Sequence, residues 1–173
     1  DEFPYFPTVN EENLLEIESS LLRGMIEKTS YAICNDDTKY NLNGLFTKAE
    51  TTEQDGQILK MVATDGHRLS IASCPLNGLT GQELAKGVIL PKKGVYELKK
   101  IAEENTGSLK FGFMDNSAVV KQSDSFMVMR LIDGEFPDYN RVIPKLNERT
   151  ITIKKDDFTH SVSRMAILSS EKF

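Results

Sequence analysis

The hydrophobic pattern of this chain changes period several times, and the changes come in the same order twice. A short alternating stretch at residues 13–18 precedes apolar residues at helical spacing from Leu22 to about Ile33, with Ser19 or Ser20 as the expected helix cap. Three alternating segments joined by short turns then predict an antiparallel meander, at residues 40–49, 57–64 and 68–74.

The same order begins again after a stretch rich in Gly, Asn and Thr at residues 75–85, which predicts a loop. A strand is expected at residues 87–90, and Pro91 then opens a helix with Val95, Leu98, Ile101 and Ala102 on its apolar face. Three more strands are predicted, at residues 109–114, 118–122 and 126–132. Strand, helix and three strands, repeated, indicate an α+β fold in which antiparallel sheets pack on two helices.

The tail of the chain repeats its head. Glu135-Phe136-Pro137 matches Glu2-Phe3-Pro4, and both precede a polar linker, a short strand and a helix. In the tail these are residues 150–154 and a helix capped by Asp156 or Asp157. So long a repeat indicates tandem whole domains rather than a solenoid. The expected domains are the end of a first one with a linker at 1–11, a complete one at 12–133, an interdomain linker at 134–149 and the start of a third at 150–173.

A hairpin with polar chemistry at its tip lies between two of the predicted strands. Asp65-Gly66 follows the alternating residues 58–64, and Asp-Gly is a strong signal for a tight turn. His67 and Arg68 are therefore expected beside the sheet, at an exposed position on a rigid support.

Composition narrows the class of protein. The 173 residues are 39% hydrophobic, which is enough for a packed core, and the net charge of −5 argues against nucleic-acid binding through overall charge. The two cysteines, Cys34 and Cys74, are too few for a disulfide framework, and no apolar run approaches the length of a membrane span. These features favour a reducing compartment, and we expect a cytoplasmic protein without a membrane partner.

The residues can be compared with what a hydrolase, a metal or phosphate site and a DNA-binding module would each require. A hydrolase could combine Asp65 and His67 with Ser70 or Cys34, but Asp65 and His67 are two residues apart across a turn and no nucleophile-elbow motif occurs. Asp65, His67 and His160 lack metal-ligand spacing, and no phosphate-binding glycine loop is present. A free-standing DNA-binding module would need a continuous basic stripe with stacking aromatics.

That last alternative is weakened by the composition of the second helix, where Glu97, Glu103 and Glu104 interrupt the lysines. Most aromatic residues also fall at expected core positions, such as Phe111, Phe113 and Phe126. We therefore expect no catalytic residues, no metal and no cofactor.

Several strings of the sequence are distinctive when taken in order. The most specific is Ala63-Thr64-Asp65-Gly66-His67-Arg68-Leu69. The others are Asn41-Leu42-Asn43-Gly44, Leu90-Pro91-Lys92-Lys93-Gly94, Asp133-Gly134-Glu135-Phe136-Pro137-Asp138-Tyr139, Arg141-Val142-Ile143-Pro144 and Ala166-Ile167-Leu168-Ser169. In this order the strings resemble the beta-subunit family of bacterial DNA polymerase III, the sliding clamps. The resemblance spans the whole chain.

The resemblance implies the DNA clamp fold and a non-catalytic accessory role in DNA replication. Full-length members have three domains of one fold, and two chains close head to tail as a homodimer ring around double-stranded DNA. The clamp is a processivity factor that tethers the polymerase III alpha subunit, and it also binds the clamp loader and repair polymerases through short peptides. Most of the first and third domains would be absent here, so we expect this chain to be monomeric and to bind such peptides weakly.

The resemblance also implies two sets of site residues. The peptide pocket would be lined by Leu42, Thr64, Gly66, His67, Arg68, Leu69, Pro137, Arg141 and Val142. In it, apolar side chains would receive leucine or aromatic anchors, Thr64 would bind peptide backbone, and the arginines would meet carboxylates or carbonyls. The DNA contacts would come from Lys92, Lys93, Arg23, Tyr40 and Asn41. Without the resemblance, Leu42 and Leu69 would be interpreted as core residues and the lysines as a solvated helix face.

Overall fold

A computed structural model describes residues 14–53, 56–76, 82–114, 116–144 and 149–169. The chain divides into two compact units, Asp1–Pro137 and Asp138–Phe173. Eight strands and three α-helices belong to the described part of the first unit. In chain order they are β1 Leu15–Glu18, α1 Ser19–Thr29, β2 Gly44–Thr52, β3 Gly56–Thr64, β4 Leu69–Pro75, α2 Gln82–Lys86, β5 Val88–Pro91, α3 Lys92–Glu104, β6 Ser108–Met114, β7 Ser117–Gln122 and β8 Ser125–Arg130.

The predicted repeat is confirmed, and its two copies exchange their first strands. The two antiparallel sheets have the strand orders β1-β6-β7-β8 and β4-β3-β2-β5. Thus β1 of the first copy pairs with the meander of the second, and β5 of the second copy pairs with the meander of the first. A bridge between Ile89 and Ile132 adds a link between the two halves. The exchange makes each sheet depend on both copies, so they fold as one body.

The core lies between the two helices and the sheets. On α1 the buried residues include Leu22, Met25 and Ile26, and on α3 they are Val95, Leu98 and Ala102, which follows the predicted helical spacing. From the sheets, Leu45, Leu59, Met61, Leu109, Phe111 and Val120 join the same cluster. Burying a large apolar side chain stabilises a fold by roughly 1.5–3 kcal/mol, so this shared core holds the layers together.

Several local predictions in the first unit are wrong. The N-cap of α1 is Glu18, and Ser19 is buried with its backbone N–H bonded to the carbonyl of Gly107 (3.0 Å). The loop expected at 75–85 ends in α2, although residues 77–81 lie outside the described residues. Residues Tyr40–Leu42 form a one-turn 3₁₀ helix, so β2 starts at Gly44 rather than at Tyr40.

Phe126 does not lie in the core. It is 38% exposed on β8, which is an edge strand of its sheet, and it sits opposite Lys121 in the register with β7. The Lys121 ammonium is 5.1 Å from the centre of its ring. Phe111 is buried and Phe113 is half-buried, as predicted.

The second unit contains a 3₁₀ helix at Tyr139–Val142 and the helix α4, Lys155–Ala166. The strand predicted at 150–154 is not formed, since these residues have no partner strand in the described part of the unit. The N-cap of α4 is Lys154; Asp156 and Asp157 lie in its first turn, where negative charge suits the helix dipole. Among the described residues, no helix is long and apolar enough to cross a membrane.

Candidate functional site

The hairpin between β3 and β4 has a four-residue tip that is held by its own hydrogen bonds. The last cross-strand pair is Thr64 with Leu69, so residues 65–68 form the turn. The Thr64 hydroxyl donates to the Arg68 carbonyl (2.7 Å) and accepts from the Gly66 N–H (3.1 Å). Gly66 has a φ of +91°, which L side chains rarely adopt. The turn is therefore fixed in shape at the edge of a rigid sheet.

Asp65 is the main acceptor within this turn. Its Oδ1 accepts from the backbone N–H groups of His67 (2.9 Å) and Arg68 (3.0 Å), and its Oδ2 accepts from Arg68 Nε (3.0 Å). The two backbone hydrogen bonds, followed by the Arg68 guanidinium, lower the pKa of the Asp65 carboxyl to about 2. Asp65 is a structural anion of the turn.

These contacts leave no assembled hydrolase site among the described residues. Asp65 bonds to the backbone of His67, which does not orient the imidazole as a catalytic base requires. The Ser70 hydroxyl donates to the Lys28 carbonyl, and Cys34 is buried, where its sulfur accepts from the Asp36 N–H (3.4 Å). The described part of the chain also has no cluster of three metal-binding side chains.

The apolar residues predicted around the hairpin are more accessible than core residues. Leu42 and Leu69 are both half-buried, and neither belongs to the hydrophobic core. Leu42 lies in the 3₁₀ helix, whose backbone is anchored by the hydrogen bond from Cys34 N–H to the Leu42 carbonyl (3.1 Å). The interpretation of both leucines as ordinary core residues is therefore wrong.

The segment that leads to Pro137 lies beside the same 3₁₀ helix. Asn41 Nδ2 donates to the Glu135 carbonyl (2.9 Å), and a Cβ on Gly134 would come within 3.2 Å of the Tyr40 ring. Pro137 itself is exposed. The hydrogen bond from Asn41 to Glu135 thus joins segments more than 90 residues apart in sequence. This contact is consistent with Leu42 and Pro137 lying on the same surface.

Arg141 and Val142 belong to the second unit. Arg141 Nε contacts Oδ2 of Asp138, the N-cap of the 3₁₀ helix (3.1 Å), and Val142 is 68% exposed. Their membership of the predicted pocket stays a prediction.

Two residues near the hairpin tip were not predicted. The ring of Tyr31, which follows α1 in a one-turn 3₁₀ helix at Ser30–Ala32, lies 5.5 Å from the Arg68 guanidinium carbon. The Lys39 ammonium lies 3.8 Å from the place that a Cβ on Gly66 would occupy. Both come from segments far from the hairpin in sequence, so no local pattern could have indicated them.

The predicted DNA-binding residues are distributed over both helices and the 3₁₀ helix. Lys93 and Tyr40 are exposed, while the Lys92 ammonium bonds to Asn35 Oδ1. Arg23 on α1 pairs with Glu27 (3.4 Å), and Glu27 also pairs with Lys99 on α3 (3.6 Å). The helices α1 and α3 thus present cationic side chains, but the Glu27 carboxylate already pairs with two of them, Arg23 and Lys99.

A separate cleft of about 390 Å³ lies near the Ile89–Ile132 bridge, away from the hairpin. Phe46 and Phe136 line it and stack with their ring centres 4.9 Å apart.

The sequence is similar to one family of known proteins. The sequence model described as "DNA polymerase III beta subunit, central domain" matches residues 16–138. The beta sliding clamps of Vibrio cholerae and Escherichia coli K12 are 37% and 34% identical over 99% of this chain. The chain spans 45% of the length of each of these relatives.

Solved structures of similar proteins have the same fold. A sliding clamp from Bartonella birtlesii, bound to griselimycin, superposes with a TM-score of 0.86 at 31% identity, over 99% of this chain and 45% of that one. The clamp of Bacillus subtilis superposes with a TM-score of 0.85 at 27% identity, over 99% of this chain and 43% of that one.

Proposed function

Because this chain belongs to the beta-subunit, or sliding-clamp, family of bacterial DNA polymerase III, we propose that it is the central part of a processivity clamp. In the full-length protein, two copies would close head to tail around duplex DNA and tether the replicative polymerase. The clamp loader and repair polymerases would use the same docking site. The protein would catalyse no reaction itself and would act in the cytoplasm.

The pre-shaped hairpin is the observation that carries this proposal. A docking site for peptides needs apolar walls for anchor side chains and a few fixed polar groups at the rim. Leu42 and Leu69 supply half-buried apolar surface, and Arg68 supplies an exposed cation on a turn that its own hydrogen bonds hold. The hydroxyl hydrogen of Thr64 is used inside the turn, so we assign Thr64 to shaping the site rather than to donating to peptide backbone.

The docking proposal is tested with the full-length protein and a labelled peptide that carries leucine and phenylalanine anchors. We expect Leu69 to be a hot spot of the site, whose truncation costs about 2 kcal/mol or more, so Leu69→Ala should weaken binding at least about tenfold. Leu21→Ala, which removes an exposed leucine from α1, is the matched control and should bind like the wild type. Griselimycin, the ligand of the Bartonella clamp, should compete with the peptide. Equal affinities for the two alanine variants would refute the site.

The encircling role is tested by retention on DNA. A ring holds DNA by topology and needs little phosphate contact, which suits an acidic chain with a few exposed lysines such as Lys93. Clamp loaded on a nicked circular plasmid should stay bound at high salt and be lost when the plasmid is linearised. A free-standing DNA-binding module would instead bind linear duplex tightly at low salt and ignore the linearisation.

A further inference from the structure

The chain leaves the first unit along a short segment that follows β8 and is attached to other elements of that unit. The Ile132 N–H donates to the Ile89 carbonyl on β5 (3.0 Å). One residue later, Asp133 Oδ1 accepts from Asn116 Nδ2 (2.8 Å). We call residues 132–137 the strap, and they end where the first unit ends.

A ring stack and a hydrogen bond hold the outer half of the strap. Phe136 stacks on Phe46 of β2, with the ring centres 4.9 Å apart and the ring planes 10° from parallel. Asn41 Nδ2 donates to the Glu135 carbonyl (2.9 Å). Gly134 has a φ of +136°, so the chain turns there in a conformation that L side chains rarely adopt. The strap therefore closes on residues that are far from it in sequence.

The two rings of the stack differ in how they are supported. Phe46 lies on a central strand of its sheet, in register with Val62 on β3 and with Ile89 on β5. Phe136 belongs to a segment without regular secondary structure. Movement of the strap can therefore break the stack without disturbing any strand.

The strap is loosely packed. Most of its residues are exposed, namely Asp133, Gly134, Glu135 and Pro137. The cleft of about 390 Å³ near the Ile89–Ile132 bridge is lined both by strap residues and by Phe46, Asn116 and residues 86–89. A close-packed interior leaves no space of this size. Opening of the strap would therefore break few contacts.

Opening would lengthen the connection between the two units. With the strap closed, this connection begins after Pro137. With Glu135 and Phe136 released, the hydrogen bond of Ile132 to Ile89 becomes the last attachment to a strand. The connection then gains about five residues, which span up to about 17 Å when extended.

We propose that the strap is a releasable clasp, which shortens the connection between the two units when the Phe46–Phe136 stack is closed and lengthens it when the stack opens. The stack and the hydrogen bond from Asn41 to Glu135 favour the closed form. The clasp is a property of the fold and requires neither peptide docking nor DNA.

Cleavage by a protease inside the strap measures the open fraction. The protease Glu-C cuts after glutamate, and it needs the residues around Glu135 to be extended and accessible. When opening and closing are faster than cleavage, the rate follows the population of the open form. In the full-length protein, cleavage after Glu135 should be slower than in a free peptide of the same sequence. It should be faster than cleavage after Glu103 in α3, which requires unfolding of the core.

Two substitutions outside the cleaved sequence should open the strap. Phe46→Leu removes the stack and Asn41→Ala removes the hydrogen bond, and each should raise the rate of cleavage after Glu135 by about two- to tenfold. Phe113→Leu is the matched control, because Phe113 is also half-buried and its ring centre is also 4.9 Å from that of a second ring, Phe111. This control should leave the rate after Glu135 unchanged.

Spin labels measure the connection itself. Glu16→Cys on β1 and Lys155→Cys on α4 place one label on each unit at exposed positions, while Cys34 and Cys74 are buried. The labelled full-length chain is diluted into unlabelled protein, so that the distances are those within one chain. Phe46→Leu should broaden the distribution of distances between the labels, and Phe113→Leu should leave its width unchanged.

Each part of the proposal can fail separately. Wild-type cleavage after Glu135 as slow as after Glu103 would show that the strap does not open, and cleavage as fast as in the free peptide would show that it does not close. Equal acceleration by Phe46→Leu and Phe113→Leu would assign the effect to global stability and overturn the role of the stack. Distance distributions of equal width would overturn the lengthened connection.

Discussion

At the scale of single residues, the hairpin tip depends on an ionised carboxylate. Asp65 accepts two backbone N–H groups and the Arg68 Nε, and the pKa of its carboxyl falls to about 2. The ordinary value is 3.8, so the folded state favours the deprotonated form. The stabilisation is therefore fully present above about pH 4, and it is lost as the pH falls toward 2.

We expect this linkage to be visible in Asp65→Asn. Between pH 4 and pH 2 the denaturant midpoint of the wild type should fall more steeply than that of the variant, because asparagine does not titrate. Asp36→Asn is a second case rather than a control, since the pKa of Asp36 is also lowered, mainly by its hydrogen bond from the Thr38 hydroxyl, and its substitution should likewise flatten the profile. Parallel pH profiles for the wild type and Asp65→Asn would contradict the assignment.

Two glycines make a second prediction at this scale. Gly87 has a φ of +92°, and an added Cβ would lie 2.4 Å from the Phe46 ring, so Gly87→Ala should lower the free energy of unfolding by more than about 1 kcal/mol. Gly24 lies within α1 with nothing within 4 Å of its added Cβ, and Gly24→Ala should raise the free energy by about 0.5–1 kcal/mol. Urea denaturation measures both. Shifts of the same sign would show that the two environments are wrongly described.

At the scale of elements, the strongly periodic segments could be predicted and the irregular ones could not. The apolar spacing of α3 predicted its buried face, because Val95, Leu98 and Ala102 recur at helical spacing. The five-residue α2 was missed since it is too short to show a period. Ser19 and Ser20 carry a capping signature, but pairing of β1 with β6 holds the chain extended up to Glu18 and places Ser19 in the core.

Without the family resemblance, the candidate site was predictable only where its residues are neighbours in sequence. The turn from Thr64 to Leu69 follows from the Asp-Gly signal and its flanking strands. Tyr31 and Lys39 lie near the same turn because α1 packs against the sheet and the segment after α1 runs past the hairpin. The hydrophobic period of the sequence does not specify these tertiary contacts.

The carboxylate that links α1 and α3 gives a prediction for this pair of elements. Glu27 contacts both Arg23 and Lys99, and these pairs are exposed enough that Glu27→Gln should change the free energy of unfolding by less than about 1 kcal/mol. The substitution frees Arg23 for phosphate, whereas Lys99 keeps its ion pair with Glu103 (3.4 Å). For the full-length clamp on linear duplex, the slope of log K against log salt should become steeper by up to about 1.

The control for Glu27→Gln is Glu16→Gln, which makes the same change of charge at an exposed position on β1. Its salt slope should match that of the wild type. If both substitutions steepen the slope equally, net charge rather than the helix pair governs the effect.

At the scale of the whole molecule, the two units differ in how their helices are supported. In the first unit each exchanged strand is the fourth strand of a sheet, and α1 and α3 bury their apolar faces against the two sheets. In the second unit α4 has no buried residue, and Phe158, Val162 and Met165 are all at least half exposed. A twelve-residue helix without packing is marginal in water.

Hydrogen exchange on the 173-residue chain should therefore separate the two units. We expect the amides of α4 to open with a free energy of about 0–1 kcal/mol, while those of α3 approach the free energy of global unfolding. The α4 amides should become protected in the full-length protein if the exposed face is covered there. Equal protection of α4 and α3 in the 173-residue chain would contradict this description.

The internally bonded hairpin tip also has a kinetic consequence. A loop that must reorganise before it can bind slows association, whereas the turn at residues 65–68 already has its hydrogen bonds formed in the free chain. Under the docking function proposed above, competing partners would then associate at similar rates, and residence time would govern the exchange of one partner for another on this surface.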